Sequence, residues 1–444
     1  MGRVYYPRSI DRYLLEWKED SVHKPLLVRG ARQVGKSSAI RTLGTHFTHF
    51  LEVNFERDRA IHELFSSDLN PQEIAIRLST YYGVPVLPTK TLLFLDEIQA
   101  CPDAIRSLWF FYEDYPELHV IAAGSLLEFA IQELTSYGVG RIRSLFMYPL
   151  SFDEFLEATG HTGWITAKRA GSAEAPLFEA LHTQLVEAFR SYLLVGGMPE
   201  AVREWVERHD YLACQQALED IAQSYEDDFS KYKKRVDPSL LRQTLHSVAL
   251  QMGSKFVYSQ VEGGYRTEKV KEALKLLEMA GVILPVTHSA GNGLPLGAEV
   301  NEKFVKYLFL DSGLLLRFLG LKQGNNLSQQ LVVSTATALV NKGSITEMVA
   351  GLELLKYQSP TIHARLYYWQ SLSRGTQGEI DYLLERAGSV LPLEIKAGTS
   401  GSMKSLHTFM QAKGLTRGLR SSLENFGALE QIEILPLYAL GNLL

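Results

Sequence analysis

The octapeptide Gly30-Ala31-Arg32-Gln33-Val34-Gly35-Lys36-Ser37 constrains this chain more than any other stretch. It follows an apolar run, Pro25–Arg29, that reads as a strand, and it opens a helical pattern over Lys36–Leu43. Glycines at both ends of such a loop let the backbone wrap closely around a bulky anion, with successive N–H groups and a helix N-terminus facing the negative charge. In this pattern the lysine is expected to reach the β- and γ-phosphates of a nucleotide, and the Ser37 hydroxyl to ligate Mg²⁺. The candidate nucleotide-binding set is therefore Gly30, Ala31, Arg32, Gln33, Val34, Gly35, Lys36, Ser37 and Ser38. A glycine-rich turn before a helix is the plainer alternative.

A second feature decides between them. Leu92-Leu93-Phe94-Leu95-Asp96-Glu97 is an apolar strand ending in two acids. Asp96 is expected to hold the magnesium through water and Glu97 to polarise the attacking water, with helix-capping acids as the alternative. The next apolar run, Val120–Ala123, ends in Gly124-Ser125. Ser125 there either senses the γ-phosphate or caps the helical pattern that starts at Leu126. Arg141, before the strand pattern Ser144–Leu150, is placed to act as an arginine finger on a neighbouring subunit's nucleotide, which would require a homo-oligomer.

Around these motifs short apolar runs alternate with helical spacing. Strands are expected at Pro25–Arg29, Phe50–Phe55, Thr91–Asp96, His119–Ala123 and Ser144–Leu150, and helices at Lys36–Leu43, Pro71–Tyr82, Ala104–Tyr115 and Leu126–Leu134. Continuous rather than alternating apolar strands are covered on both faces, so the expected class is α/β with a parallel sheet flanked by helices. From Ser151 to Tyr232 the pattern is helical, with a break at Val195–Pro199. A charged run containing Lys231, Lys233, Lys234 and Arg235 precedes Asp237-Pro238, a plausible boundary step.

Beyond it, helical segments lead to strand patterns at Val282–His288 and Tyr307–Leu310, an order that resembles a winged helix. In the helix Thr267–Ala280, Val270, Leu274 and Leu277 share an apolar face, leaving Arg266, Lys269, Lys271 and Lys275 available to phosphates of DNA. The last block offers a helix at Ile345–Tyr357 and strands at Leu366–Trp369, Glu379–Arg386 and Val390–Ala397. The division expected is 1–150, 151–237, 238–325 and 326–444.

Composition narrows the setting. With 444 residues the chain exceeds what one core usually organises. Its 45 Lys plus Arg against 50 Asp plus Glu give a net charge of −5, so no global field draws it to polyanions. Only Cys101 and Cys214 are present, too few for a disulfide framework. No apolar run approaches the roughly 20 residues that span a bilayer, and the opening MGRVYYPRSIDRYLLEWKED lacks the apolar core of a signal peptide. A cytoplasmic, membrane-free setting is the expectation.

GARQVGKS, LLFLDEIQ, AAGS, YPLSFDEF and LLVGGMPEAV together resemble the prokaryotic AAA-type ATPases that carry the C-terminal domain of unknown function four-one-four-three. The resemblance runs over essentially the whole chain. It implies an ATPase domain, then a winged-helix-like region, then an end related to the PD-(D/E)xK nuclease fold.

A nuclease-like site at that end would use Glu347 or Glu353 from a helix, Asp381 from one strand, and Glu394 with Lys396 from the next, the carboxylates converging on Mg²⁺. If the turn centres between Ala387 and Gly388, Asp381 sits opposite Glu394. Ile380 stands where that motif has proline, and Glu16-Trp17-Lys18 matches the short pattern within a helical segment. The function expected is an ATP- and Mg²⁺-binding ATPase working as a switch or motor, with DNA as a candidate partner. An ATP-regulated nuclease and a non-hydrolysing ATP-binding scaffold are the rivals.

Overall fold

The computed structural model describes residues 4–66, 69–133, 140–232, 235–319, 343–371, 378–399 and 401–443. The chain divides into two compact units. The first comprises Met1–Tyr148 with the short segments Met279–Gly281 and Ser359–His363, and the second comprises the remainder.

In the first unit the apolar runs become strands β1 (Leu26–Arg29), β2 (His49–Asn54), β3 (Thr91–Asp96), β4 (His119–Ala123) and β5 (Arg143–Phe146). They form a sheet of order β2-β3-β4-β1-β5 in which every pairing is parallel. All six residues of β3 and all five of β4 are buried, because helices cover both faces. On one face Leu27, Leu93, Leu95 and Val120 pack with Ile74, Leu78, Ile105, Leu108 and Phe111 of the helices Pro71–Tyr82 and Pro102–Asp114. Both helices start with proline, whose missing N–H costs nothing in a first turn. Asn70 caps the former and Gly83, at φ 66°, ends it. Strand β5 stops four residues earlier than the apolar run suggests. Met147 still donates to Arg29 at 2.8 Å, but Pro149 has no N–H to continue a ladder.

The second unit opens with helices Phe152–Ala158, Thr162–Ala170, Glu179–Val195, Pro199–Arg208 and Tyr211–Asp228. Ser151 and Glu154 form a capping box on the first, and Gly196-Gly197 separates the third from the fourth. The Asp237-Pro238 step starts the helix Pro238–Leu250, with Asp237 accepting from Ser239 N–H. The helix Thr267–Met279 buries Val270, Leu274 and Leu277, as its spacing requires.

Strands β6 (Ile283–Ser289), β7 (Val300–Phe309), β8 (Leu366–Gln370), β9 (Glu379–Arg386), β10 (Ser389–Ile395), β11 (Gly418–Ser422), β12 (Gly427–Leu429) and β13 (Ile432–Pro436) make one mixed sheet of order β12-β13-β11-β10-β9-β8-β6-β7. Strand β7 is a correction to the sequence reading, which started it at Tyr307. Its first six residues, Val300–Val305, mix charged residues with apolar ones and are exposed or half-exposed, so no apolar run announces it. No helix among the described residues is long and apolar enough to cross a membrane. Both cysteines are free and buried.

Candidate nucleotide site and C-terminal acid cluster

The loop between β1 and the helix Lys36–Gly44 turns through three left-handed residues, Gly30 at φ 146°, Gln33 at 63° and Gly35 at 103°. This succession builds a concave run of N–H groups at a helix N-terminus. Gly30 also has no room for a side chain, since a Cβ there would lie 2.2 Å from the Met147 carbonyl oxygen. Ala31 and Val34 are buried and anchor the loop, whereas Gln33 and Ser38 are exposed and Arg32 is half-buried.

Lys36 Nζ donates to the carbonyls of Gly30 and Ala31, each at 2.8 Å. Burial pulls its pKa down to about 8 against the opposing pull of Glu97 and Asp96. One residue further, Ser37 Oγ donates to Asp96 Oδ1 at 3.2 Å, and Asn54 Nδ2 donates to Asp96 Oδ2 at the same distance. Burial raises the Asp96 pKa, and the like charges of Glu97 and Glu52 raise it further. A divalent cation would relieve that strain, and the adjacent hard oxygens of Ser37 and Asp96 are the donors Mg²⁺ selects, so these residues fit the ion.

Glu97 leaves β3 in the left-handed region, at φ 50°, which costs a non-glycine residue free energy. Its Oε2 accepts from Gln99 Nε2 at 2.7 Å and from Ser125 Oγ at 3.4 Å. The C-terminal ends of β3 and β4 thus bring the two predicted groups together. Gly124 leaves room beside them, since a Cβ there would lie 2.0 Å from Gln99 Oε1 and would push that amide aside.

Two contributors were not legible in the motifs. Gln99 holds Glu97, and Arg8, 8% exposed, donates from Nη1 to Val34 O at 3.0 Å and from Nη2 to Tyr148 O at 2.7 Å. Arg141 lies on the surface, its Nε 2.6 Å from Glu113 and its guanidinium 5.7 Å from the Trp109 ring centre.

A parallel α/β sheet with a glycine loop after one strand, two acids after another and a serine after a third defines an AAA-type P-loop ATPase domain. A family model described as AAA domain matches residues 22–156, and domains of unknown function DUF8612 and DUF4143 match 186–325 and 342–440. The chain thus carries an AAA domain near one end and DUF4143 near the other, the combination its motifs resemble. No curated protein matches its sequence.

Among solved structures, a Walker-type ATPase of Pyrococcus abyssi shares 16% identity, with 71% of this chain and 96% of that one covered and a TM-score of 0.46. The Orc1 protein of Aeropyrum pernix, in complex with DNA, shares 14%, covering 76% and 93% with a TM-score of 0.29. The replication initiator DnaA bound to AMPPCP and single-stranded DNA shares 14%, covering 62% and 77% at 0.26. Scores this low bear on neither activity nor partner.

In the second unit the β9–β10 hairpin turns at Ala387 and Gly388, both at positive φ, the two-residue geometry that matches strand twist. The register runs Ser389↔Arg386 to Leu393↔Tyr382, so the next positions opposite each other are Glu394 and Asp381. There the ladder gives way to a side chain, and Asp381 Oδ2 accepts from Ile395 N–H at 2.7 Å. Lys396 Nζ is 2.6 Å from Glu394 Oε1.

Of the two candidate helical glutamates, Glu347 joins this site. Its carboxylate, with those of Glu379 and Asp381, falls within 4.8 Å of the others. Glu353 does not join. It is bound by Phe152 N–H at 2.9 Å, Tyr192 Oη at 2.7 Å and Lys356 Nζ at 3.3 Å. Burial raises the pKa of Glu347, Asp381 and Glu394 alike.

Sequence reasoning also missed Glu379 and Lys306 here; Lys306 Nζ contacts both Glu347 Oε1, at 2.8 Å, and Glu379 Oε1. Of the basic residues on Thr267–Met279, Lys269 and Lys275 pair with Glu272 and Glu278 one turn on, and Lys271 faces the Tyr258 ring. Lys233 and Lys234 lie outside the described residues, as does the expected boundary at 325–326.

Proposed function

We propose that the first unit binds and hydrolyses Mg²⁺-ATP and that the cycle works as a switch for the rest of the chain. The observation that carries this is the meeting of four groups from three strand ends, Ser37 beside Asp96 and Glu97 beside Ser125. In this reading the N–H groups of residues 30–37 surround the β-phosphate, and Lys36 exchanges its two carbonyl partners for phosphate oxygens. Ser37 and Asp96 would hold Mg²⁺, which when bound neutralises phosphate charge. Glu97 accepts the proton of the attacking water, while Ser125 and Gln99 aim its carboxylate. The test is ATP turnover by wild type and Lys36→Ala, where equal rates would refute the assignment.

Arg141 as a finger in trans draws support from its exposed place, although Glu113 holds it within its own chain. Arg141→Ala should slow turnover only under conditions where the protein self-associates. Action on DNA rests on the basic side of Thr267–Met279. The pairing of Lys269 and Lys275 weakens that support, and salt-dependent binding of duplex DNA tests it. The nuclease rival has the Asp381–Glu394 register in its favour, and Lys306 among the carboxylates against it. Metal-dependent cleavage that vanishes in Asp381→Ala would favour that rival. The scaffold rival predicts equal, negligible turnover in wild type and Glu97→Gln with affinity retained.

A further inference from the structure

Lys306 lies on β7 opposite Val286, with its side chain 2% exposed. Its ammonium contacts the carboxylates of Glu347 and Glu379 and sits 4.9 Å from the Tyr368 ring centre. Three donors on a tetrahedral nitrogen suit two carboxylates and an aromatic face. A magnesium ion suits this place poorly while the ammonium fills it, since the ion wants about six oxygens at roughly 2.1 Å and Lys306 already engages the carboxylates of Glu347 and Glu379. Burial works against the charged lysine, yet Glu347, Glu379 and Asp381 outweigh it and hold its pKa above the ordinary value.

The surroundings are still short of positive charge. Among the described residues, Glu347, Glu379, Asp381 and Glu394 face only Lys306 and Lys396 as cationic contacts in this network. Glu394 Oε2 is buried without a hydrogen-bond partner among the described residues. The cluster therefore attracts cations, and the chain supplies one of its own.

We propose that Lys306 is the resident cation of this acid cluster, taking in cis the place a divalent metal would occupy, so that the cluster braces the sheet instead of binding Mg²⁺. For a metal to enter, Lys306 would have to surrender both carboxylates while β7 stays hydrogen-bonded to β6, leaving an ammonium buried and unpaired. Removing its charge while keeping its bulk should turn the cluster into a metal site.

The experiment is Mn²⁺ titration of the nucleotide-free full chain, read by electron paramagnetic resonance, for wild type, Asp381→Asn, Lys306→Met and the double variant. Wild type and Asp381→Asn should titrate alike up to millimolar Mn²⁺. Lys306→Met should gain one site, on the order of tenfold tighter than any in wild type, and the double variant should lose it. Wild-type binding that Asp381→Asn abolishes would overturn the proposal, as would a folded Lys306→Met that gains nothing. Should Lys306→Met fail to fold, the wild-type comparison with Asp381→Asn decides alone. Neither variant touches the phosphate loop, so failure here leaves the ATPase reading standing.

Discussion

Arg8 donates from Nη1 to the Val34 carbonyl at 3.0 Å, so a side chain from the start of the chain holds the phosphate loop from outside. Its second nitrogen reaches Tyr148, beyond β5, and the guanidinium ties the loop to the chain leaving the neighbouring edge strand. Replacement by alanine leaves two carbonyls short of a charged donor, a loss of about 2 to 3 kcal/mol. Arg8→Ala should lower the melting temperature and weaken ATP binding together. Lys should restore little, because one ammonium does not reproduce a rigid fork. Unchanged ATP affinity in Arg8→Ala would remove the loop-holding role.

Glu97→Gln keeps the size and hydrogen-bonding reach of the side chain but cannot take a proton from water. Turnover should fall by roughly 10²- to 10⁴-fold with nucleotide affinity retained. Ser125→Ala removes the hydroxyl 3.4 Å from that carboxylate and should cost a smaller factor, about tenfold, in kcat rather than KM. Single-turnover kinetics separates the two, and a Ser125→Ala variant with unchanged kcat would return Ser125 to a plain structural role.

The pKa of Lys36, held down to about 8 by burial, makes nucleotide binding pH-dependent. The cationic form meets phosphate, and the free protein gives up that proton as pH rises through the lowered value. ATP affinity should therefore be flat below pH 7 and fall by up to about tenfold per unit well above 8. Arginine at this position stays charged, so whatever affinity Lys36→Arg retains should not fall in that window. Calorimetry at pH 7 and pH 9 measures both.

Lys306→Met leaves buried carboxylates without their ammonium and should destabilise the protein by about 3 to 5 kcal/mol near neutral pH. Glu347 and Asp381 have raised pKa values in the fold. Groups of that kind favour the folded state when protonated, a contribution present at low pH and lost as pH rises through their folded pKa. The deficit of Lys306→Met should thus shrink as pH falls from 7 towards 5. Denaturant midpoints across that range test it, and a deficit growing towards low pH would contradict it.

The candidate nucleotide site was legible because its parts are local. Gly30–Ser37 and Leu92–Glu97 each place their chemistry at the end of one buried strand, where a continuous apolar run is hard to misread. What stayed hidden was contributed from elsewhere in the chain. Arg8 precedes an ordinary amphipathic helix, and Gln99 follows the acids in a single helical turn, so neither carries a pattern of its own. Lys306 was missed for a physical reason: the exposed half of β7 mixes charge with apolar residues, and its one inward lysine looks like another surface charge. The hairpin register, by contrast, followed from the two residues of its turn, since Ala387-Gly388 fixes which strand positions meet. Between Glu347 and Glu353 the sequence could not choose; six residues apart on one helix, they are divided only by which neighbours each meets.

Calorimetric titration of the full chain with a slowly hydrolysed ATP analogue, with and without Mg²⁺, tests the central claim most directly. The account predicts saturable binding of one nucleotide per chain, strengthened by Mg²⁺, lost in Lys36→Ala, and stripped of its Mg²⁺ dependence in Asp96→Asn. Absence of binding by wild type, or equal binding by Lys36→Ala, would contradict it.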